Sequence, residues 1–568
     1  MDRKRGDCVR RVRQTGITVL LLLMSAMFSA CDLPFLKQDS STDPLAEMVQ
    51  QFNAQWIKEP LQYSTYAREV GASLSSPRYQ RFAVNEMFSL SGTVKNHRGL
   101  RSPFVWVGLR KMGDHSAAPE NEFDIYIPIK NGTFAQSIRL FAGKGEYQVT
   151  VRLPSREKAD TFYELTQFTV VNVNPRVKRD IAYSPYAWET GLSLKQPSQG
   201  LVRANGRIHV TGIIRQTYGR HNVMIQLVKG SQSWDRLVSV KNGAFAADIP
   251  LYYGKGIHQL RVLVPDAKHQ RYYQEGAEIL VDNADRSRKA PIRYFADYEK
   301  RGIQITVPQA SGGTGKYTYR IAGRIDPDAP YAGETRELII QTVKDGEEAT
   351  YFIPVKNYRF DGVFWLRFGP GRYEVSVNVP EITHQHRDYF RFFRVAQFEV
   401  NATGPKDLRY LLPSRGIQSD SPQIEALARR IVAGQMDDRA KAKAIYRYVA
   451  THVRYDVDKF RTDAFELDDS ALKTLREKKG VCQDYTFLTV ALLRSIGIEA
   501  RFVEGMSQGN RHAWVEARID GRWLTMDPTW GSGYLTPDGH FVAKYDPRYF
   551  DPDPAFFART HRRTGVMY

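Results

Sequence analysis

Cys482, His512 and Asp527 have the types and the chain order that nucleophilic acyl chemistry needs. A thiolate attacks a carbonyl, an imidazole takes and returns the proton, and a carboxylate orients that imidazole and stabilises its charged form. Elements of fixed phase must bring the three together. Beyond Cys482, the residues Leu488, Ala491, Leu492 and Ser495 recur at helical spacing, with Phe487 and Val490 beside them and Gly497 as a left-handed stop. The spacing predicts a buried helix with Cys482 in its first turn. There the unpaired backbone N–H groups and the positive end of the helix dipole favour thiolate over thiol, and the same N–H groups can hold an oxyanion.

His512 to Ile519 alternates in polarity, Asp520-Gly521 is a favoured two-residue type I′ turn, and Arg522 to Asp527 returns. With Ile519 opposite Arg522, Trp514 falls opposite Asp527, so Asp527 shares a sheet face with His512 and lies diagonal to it. Upstream, 424–432 and 440–453 read as helices, a polar loop begins at Tyr455-Asp456, and a further short helix is expected within 463–475. Taken singly, a core cysteine and a surface hairpin would account for the same residues.

The blocks Gly480-Val-Cys-Gln-Asp-Tyr485, His512-Ala-Trp514 and Asp527-Pro-Thr-Trp-Gly531 resemble the three signatures of the transglutaminase-like cysteine enzymes, whose fold is related to papain. Asp520-Gly-Arg-Trp523, Trp530-Gly-Ser-Gly-Tyr534, and Tyr549-Phe-Asp-Pro-Asp-Pro554 leading to Thr560-His561 resemble the kyphoscoliosis-peptidase branch. The resemblance covers roughly 415–568. It implies an α+β papain-like core with Cys482 as nucleophile, His512 as base and Asp527 as orienting group. It also implies a thioester acyl-enzyme, resolved by water (peptidase or amidase) or by a lysine amine (cross-linking). Gln483, Trp514 and Trp530 are expected in the site wall, and Tyr455 and Gln483 are positional candidates for a further oxyanion donor. The calcium-binding acidic loops of animal transglutaminases are not evident, so no metal and no cofactor is implied.

At 568 residues the chain needs several cores. Its middle repeats. Lys130-Asn-Gly-Thr-Phe134, Gly143-Lys-Gly145 and Val149–Pro154 return as Lys241-Asn-Gly-Ala-Phe245, Gly254-Lys-Gly256 and Leu260–Pro265, 111 residues on. A third copy, Lys356-Asn-Tyr-Arg-Phe360 with Gly369-Pro-Gly371 and Val375–Pro380, follows after a further 115. Tyr63-Ser-Thr-Tyr-Ala67, Tyr183-Ser-Pro-Tyr-Ala187 and Tyr294 mark the starts. Short alternating strands bounded by Gly and Pro predict immunoglobulin-like β-sandwiches, with no Cys…Trp…Cys signature. The expected fold is multidomain: three tandem sandwiches at 43–175, 176–286 and 287–404, then a transglutaminase-like domain at 405–568. His384-Gln-His386 places two imidazoles on one strand face, but no third ligand is near in sequence.

Residues 1–30 read as an export signal. Arg3, Lys4, Arg5, Arg10, Arg11 and Arg13 precede the apolar run 17–28, and Phe28-Ser-Ala-Cys31 is similar to the lipobox of bacterial lipoproteins. Cleavage before Cys31 would leave a lipid on that thiol, a tether at 31–42, and a protein anchored to the cell membrane facing outward. Asp32 resembles the signal that retains such proteins at an inner membrane. Cys8 leaves with the signal, so Cys482 has no intrachain disulfide partner in the mature chain. Most of the net charge of +19 falls between residues 43 and 404. For an exported chain this points to anionic envelope polymers or lipid headgroups and away from nucleic acid. Two readings result: a membrane-anchored cysteine enzyme acting on protein or peptide amides, with hydrolysis favoured over cross-linking, or a catalytically silent envelope scaffold that binds through its sandwiches.

Overall fold

The computed structural model describes residues 43–113, 118–269, 272–383 and 390–568. Cys31 with its lipobox, and the His384/His386 pair, lie outside the described residues. Among the described residues no helix is long and apolar enough to cross a membrane. Separate hydrophobic cores form within 61–170, 187–281, 292–402 and 417–550, which makes the chain a β-rich multidomain protein with an α+β carboxyl-terminal domain.

The first unit has a three-stranded sheet, Ala72–Ser76, Met87–Val94, Thr133–Arg139. It shares its core with a five-stranded sheet ordered Arg81–Val84, Phe162–Asn172, Gly145–Pro154, Phe104–Lys111, Glu122–Pro128. Period-two alternation makes this core: in Gly145–Pro154 the side chains of Tyr147, Val149, Val151 and Leu153 are fully buried, while Gln148, Thr150 and Arg152 between them are not. The second unit has the same strand order. Both keep the same internal bonds: Asn172 Nδ2 donates to Gly143 O and Asn283 Nδ2 to Gly254 O, each at 2.9 Å. Gly143, Gly254 and Gly369 have φ of +72°, +72° and +77°, a conformation that explains why glycine recurs there.

The third unit departs from this plan. Glu347–Lys356 pairs with both Glu337–Lys344 and Arg359–Trp365, so its strands join into one nine-stranded sheet. Its starting tyrosine also shifts role. Tyr63 and Tyr183 accept hydrogen bonds at their hydroxyls from Leu74 N (3.1 Å) and Leu194 N (3.0 Å). In the third unit Tyr298, one helical turn beyond Tyr294, accepts the matching bond from Ile305 N at 2.9 Å.

An arginine clamps each junction, fully or largely buried at each. Arg179 lies between the rings of Phe123 and Phe141 and donates to the carbonyls of Pro119, Glu120 and Glu122. Arg236 of the second unit pairs with Glu299 of the third at 3.4 Å, and Trp234 Nε1 donates to Ile292 O. Arg367 of the third unit donates to Leu412 O and Pro413 O in the strap that enters the last domain, where Arg494 also reaches Leu412 O at 2.8 Å.

In the last domain, helices Pro422–Ile431, Asp438–His452 and Ala471–Glu477 pack with a central helix, Cys482–Ser495, against an antiparallel sheet. Its strand order is Arg522–Met526, Asn510–Ile519, Ala500–Ser507, His561–Met567. The helix expected within 463–475 is displaced. Val457–Thr462 forms one helix that Asp463 ends in a left-handed conformation (φ 48°), and the next begins only at Ala471, capped by Ser470.

Candidate active site

Cys482 opens its helix, and the start of that helix is fixed from two sides. The Asp484 carboxylate accepts from Val481 N at 2.8 Å, as in a capping box. Both of its oxygens then accept from Lys459 Nζ, at 3.1 and 2.9 Å, and Lys459 also meets Asp469 at 2.9 Å. Gly480 is required here: a Cβ at that position would come within 2.4 Å of Asp484 Cβ. The first-turn N–H groups of Cys482 and Gln483 have no intrahelical acceptor.

His512 comes from the strand Asn510–Ile519. The turn at Asp520-Gly521 has φ of 48° and 79°, the type I′ geometry, and Ile519 pairs with Arg522 and Val515 with Met526. One step further along this register stands Asp527, whose N–H leaves the sheet and donates to Tyr549 O at 2.9 Å. Its carboxylate is fully buried and takes four donors. Oδ1 accepts from Thr529 N (2.9 Å) and Trp530 N (3.0 Å), and Oδ2 from Nε2 of His512 (2.7 Å) and of His561 (3.0 Å).

His512 also has the Cys482 side chain as a hydrogen-bond partner, and both line the same cleft. Burial alone would lower the basicity of His512, but the Asp527 charge and hydrogen bond, followed by Cys482, outweigh it and push the imidazole up to about 10. Burial would raise Asp527, yet the two histidines hold it well below the usual carboxylate range. The group is therefore a cysteine next to an imidazole that retains a proton, backed by an ionised carboxylate.

His561 had no assigned role at the sequence level. It begins the last strand, its side chain is fully buried, and its ring stacks on Phe557 with centroids 3.8 Å apart. Thr560 Oγ1 lies 2.8 Å from its Nδ1. His512, Asp527 and His561 have ligand atoms within 4.8 Å of one another, a spacing open to a metal ion, but both imidazole N–H groups are already satisfied by the carboxylate.

A cleft of about 400 Å³ opens above Cys482 and His512. Its lining includes the apolar and aromatic Tyr455, Phe460, Trp530, Tyr534, Leu535 and Phe541 and the polar Ser507, Gln508, Asn510, Arg511 and Thr529. No carboxylate lines it among the described residues. Burial first, and then the nearby Cys482 charge, keep the Tyr455 phenol protonated, with an O–H to donate. Trp530 is in the wall as expected. Trp514 is not: it is buried behind His512, against Phe557 and His561. Gln483 is also outside the lining, because one residue past the cysteine the helix has turned about 100°, and its amide reaches Asp469 at 3.4 Å.

Residues 425–528 match the family model of the transglutaminase-like superfamily. The mouse kyphoscoliosis peptidase is 32% identical over 140 residues, covering 22% of this chain and 21% of that protein, and the human one 31% over 140 residues with the same coverage. The match thus spans about a fifth of the length of these curated relatives. A solved structure from Cytophaga hutchinsonii, assigned provisionally to the cysteine proteases, overlaps 49% of this chain and 84% of its own at 17% identity, with a TM-score of 0.21. A two-domain fibronectin type III segment of chicken tenascin overlaps 36% of this chain and 95% of its own at 12% identity, with a TM-score of 0.12. Overlaps this slight bear on neither fold nor activity. From its sequence match, the carboxyl-terminal part of the chain, which holds Cys482, His512 and Asp527, is a transglutaminase-like domain.

Proposed function

We propose that the protein is a lipid-anchored extracytoplasmic cysteine enzyme that acts on amide bonds of proteins or peptides. The observation that carries this reading is the Cys482–His512–Asp527 chain, in which one imidazole bonds both a helix-terminal thiol and a buried carboxylate. Cys482 Sγ attacks the amide carbonyl, and the oxyanion is received by the N–H groups at the helix start and by Tyr455. His512 protonates the leaving amine, the C–N bond breaks, and a thioester remains. Water, deprotonated by His512, then releases the acid. Hydrolysis is preferred over transfer here by analogy with the kyphoscoliosis peptidases that the last domain resembles. A lipid on Cys31 would hold the chain at the outer face of the cell membrane, and the basic middle units would contact anionic envelope polymers.

The test is incubation of the mature protein with peptides that contain glutamine, with and without an added lysine peptide, followed by mass analysis. New amino termini or deamidated glutamine support hydrolysis, and an isopeptide adduct supports transfer. The absence of every product, together with a Cys482 that alkylates only after unfolding, would refute the enzyme reading.

A further inference from the structure

We infer that His561 is a fourth member of the catalytic group, a positioning residue that acts through Asp527. This rests on the proposed cysteine chemistry and adds to it a residue outside the Cys-His-Asp order. Three observations carry it. Both imidazoles donate from Nε2 to the same oxygen of Asp527, at 2.7 and 3.0 Å, so the carboxylate cannot rotate toward one without stretching the bond to the other. Thr560 Oγ1 lies 2.8 Å from His561 Nδ1, so the second ring nitrogen is also held and the ring is set with Nε2 toward Asp527. The ring itself is locked: it is fully buried, stacked on Phe557, and met edge-on by Trp514 and Trp530 at 5.5 and 4.9 Å.

The arrangement solves a geometric problem. Asp527 stands just past the end of its strand, and its own backbone no longer fixes its side chain through the sheet. Two loop N–H groups hold Oδ1, and His561 holds Oδ2 from the opposite edge of the sheet. The remaining lone-pair direction of Oδ2 is then aimed at His512, and through it the imidazole face is aimed at Cys482. A hydrogen bond to a charged acceptor is strong enough for its loss to matter at the level of about tenfold or more.

The two ways to replace His561 separate this role from simple packing. His561→Phe keeps the ring stack and removes the donor. His561→Gln loses the ring and keeps an N–H group that can reach Asp527. The readout is the second-order rate of Cys482 alkylation by iodoacetamide at pH 7 in the folded, full-length mature protein, with folding checked by circular dichroism. If His561 positions Asp527, the Phe variant slows by about tenfold and the Gln variant stays within about threefold of the parent. In an Asp527→Asn background the Phe substitution then has no further effect. The reverse order, with Phe equal to the parent and Gln impaired, would assign His561 to packing and overturn the inference. A parent Cys482 no faster than a free thiol would instead remove the nucleophile itself, and with it both readings.

Discussion

Lys459 Nζ sits between the two carboxylate oxygens of Asp484, at 3.1 and 2.9 Å, and this pair ties the wall of the cleft to the start of the cysteine helix. Lys459 belongs to the short helix that carries Phe460, and Asp484 caps the helix that carries Cys482. Both side chains are nearly buried, at 13% and 4% exposed. Removing one partner of such a pair leaves the other charge uncompensated. Lys459→Met should therefore cost about 3 kcal/mol in urea unfolding of the carboxyl-terminal domain, and Asp484→Asn combined with it should restore part of the loss.

The His512–Asp527 pair makes stability depend on pH in a defined direction. His512 is raised to about 10, so its contribution is complete below the ordinary imidazole value of about 6.5 and is lost as pH rises toward 10. Asp527 is depressed, so its contribution is present above the ordinary carboxylate value of about 4 and is lost as pH falls below it. The pair stabilises most between about pH 4 and 6.5. Melting temperatures of the parent should fall from pH 6 to pH 9.5, and His512→Gln should flatten that fall. An equal fall in both proteins would contradict the assignment.

Catalysis should fail stepwise. Cys482→Ala should abolish turnover, while Asp527→Ala should lower kcat/KM by about a hundredfold or more, since the imidazole loses both its orientation and its counter-charge. Kinetics on a peptide amide, with folding verified for each variant, measures both.

The cleft chemistry predicts selectivity. Its lining has aromatic and aliphatic side chains beside the cysteine, together with Arg511. Peptides with Phe or Leu next to the reacting residue should be preferred over those with Gly or Ala. Tyr534→Ala with Leu535→Ala should cut that preference by about tenfold. Paired kcat/KM values on the two peptide classes decide it, and an unchanged ratio would exclude Tyr534 and Leu535 from recognition.

Glu337 gives a prediction away from the cleft. Burial first, and then the Asp468 charge, push its carboxyl up to about 7, with Arg415 opposing. A raised acid is better protonated in the folded state, so stability falls as pH rises from about 4.5 to 7. Glu337→Gln should raise the melting temperature at pH 8 and leave it nearly unchanged at pH 4.5. A gain at both values would point to packing.

What could be read from the chain depended on whether a local rule set the geometry. The turn at Asp520-Gly521 fixes which residues face each other, so His512 and Asp527 could be placed side by side from spacing alone. The start of the cysteine helix was legible for the same reason. His561 was not: it reaches Asp527 only because the last strand pairs with Ala500–Ser507, a choice that no local pattern encodes. Gln483 was misplaced because adjacency along a helix is not adjacency in space. The 111-residue repeat revealed the units, but the strand Glu347–Lys356 that joins both halves of the third looks locally like its counterparts.

The arginine clamps bear on how the carboxyl-terminal domain is carried. Arg179, Arg236 and Arg367 each make hydrogen bonds across a junction between successive units, so bending at any junction breaks polar contacts. A chain built this way works as a spacer: for the anchored enzyme proposed above, it would set the distance between the first unit and Cys482, and with it which amide bonds come within reach.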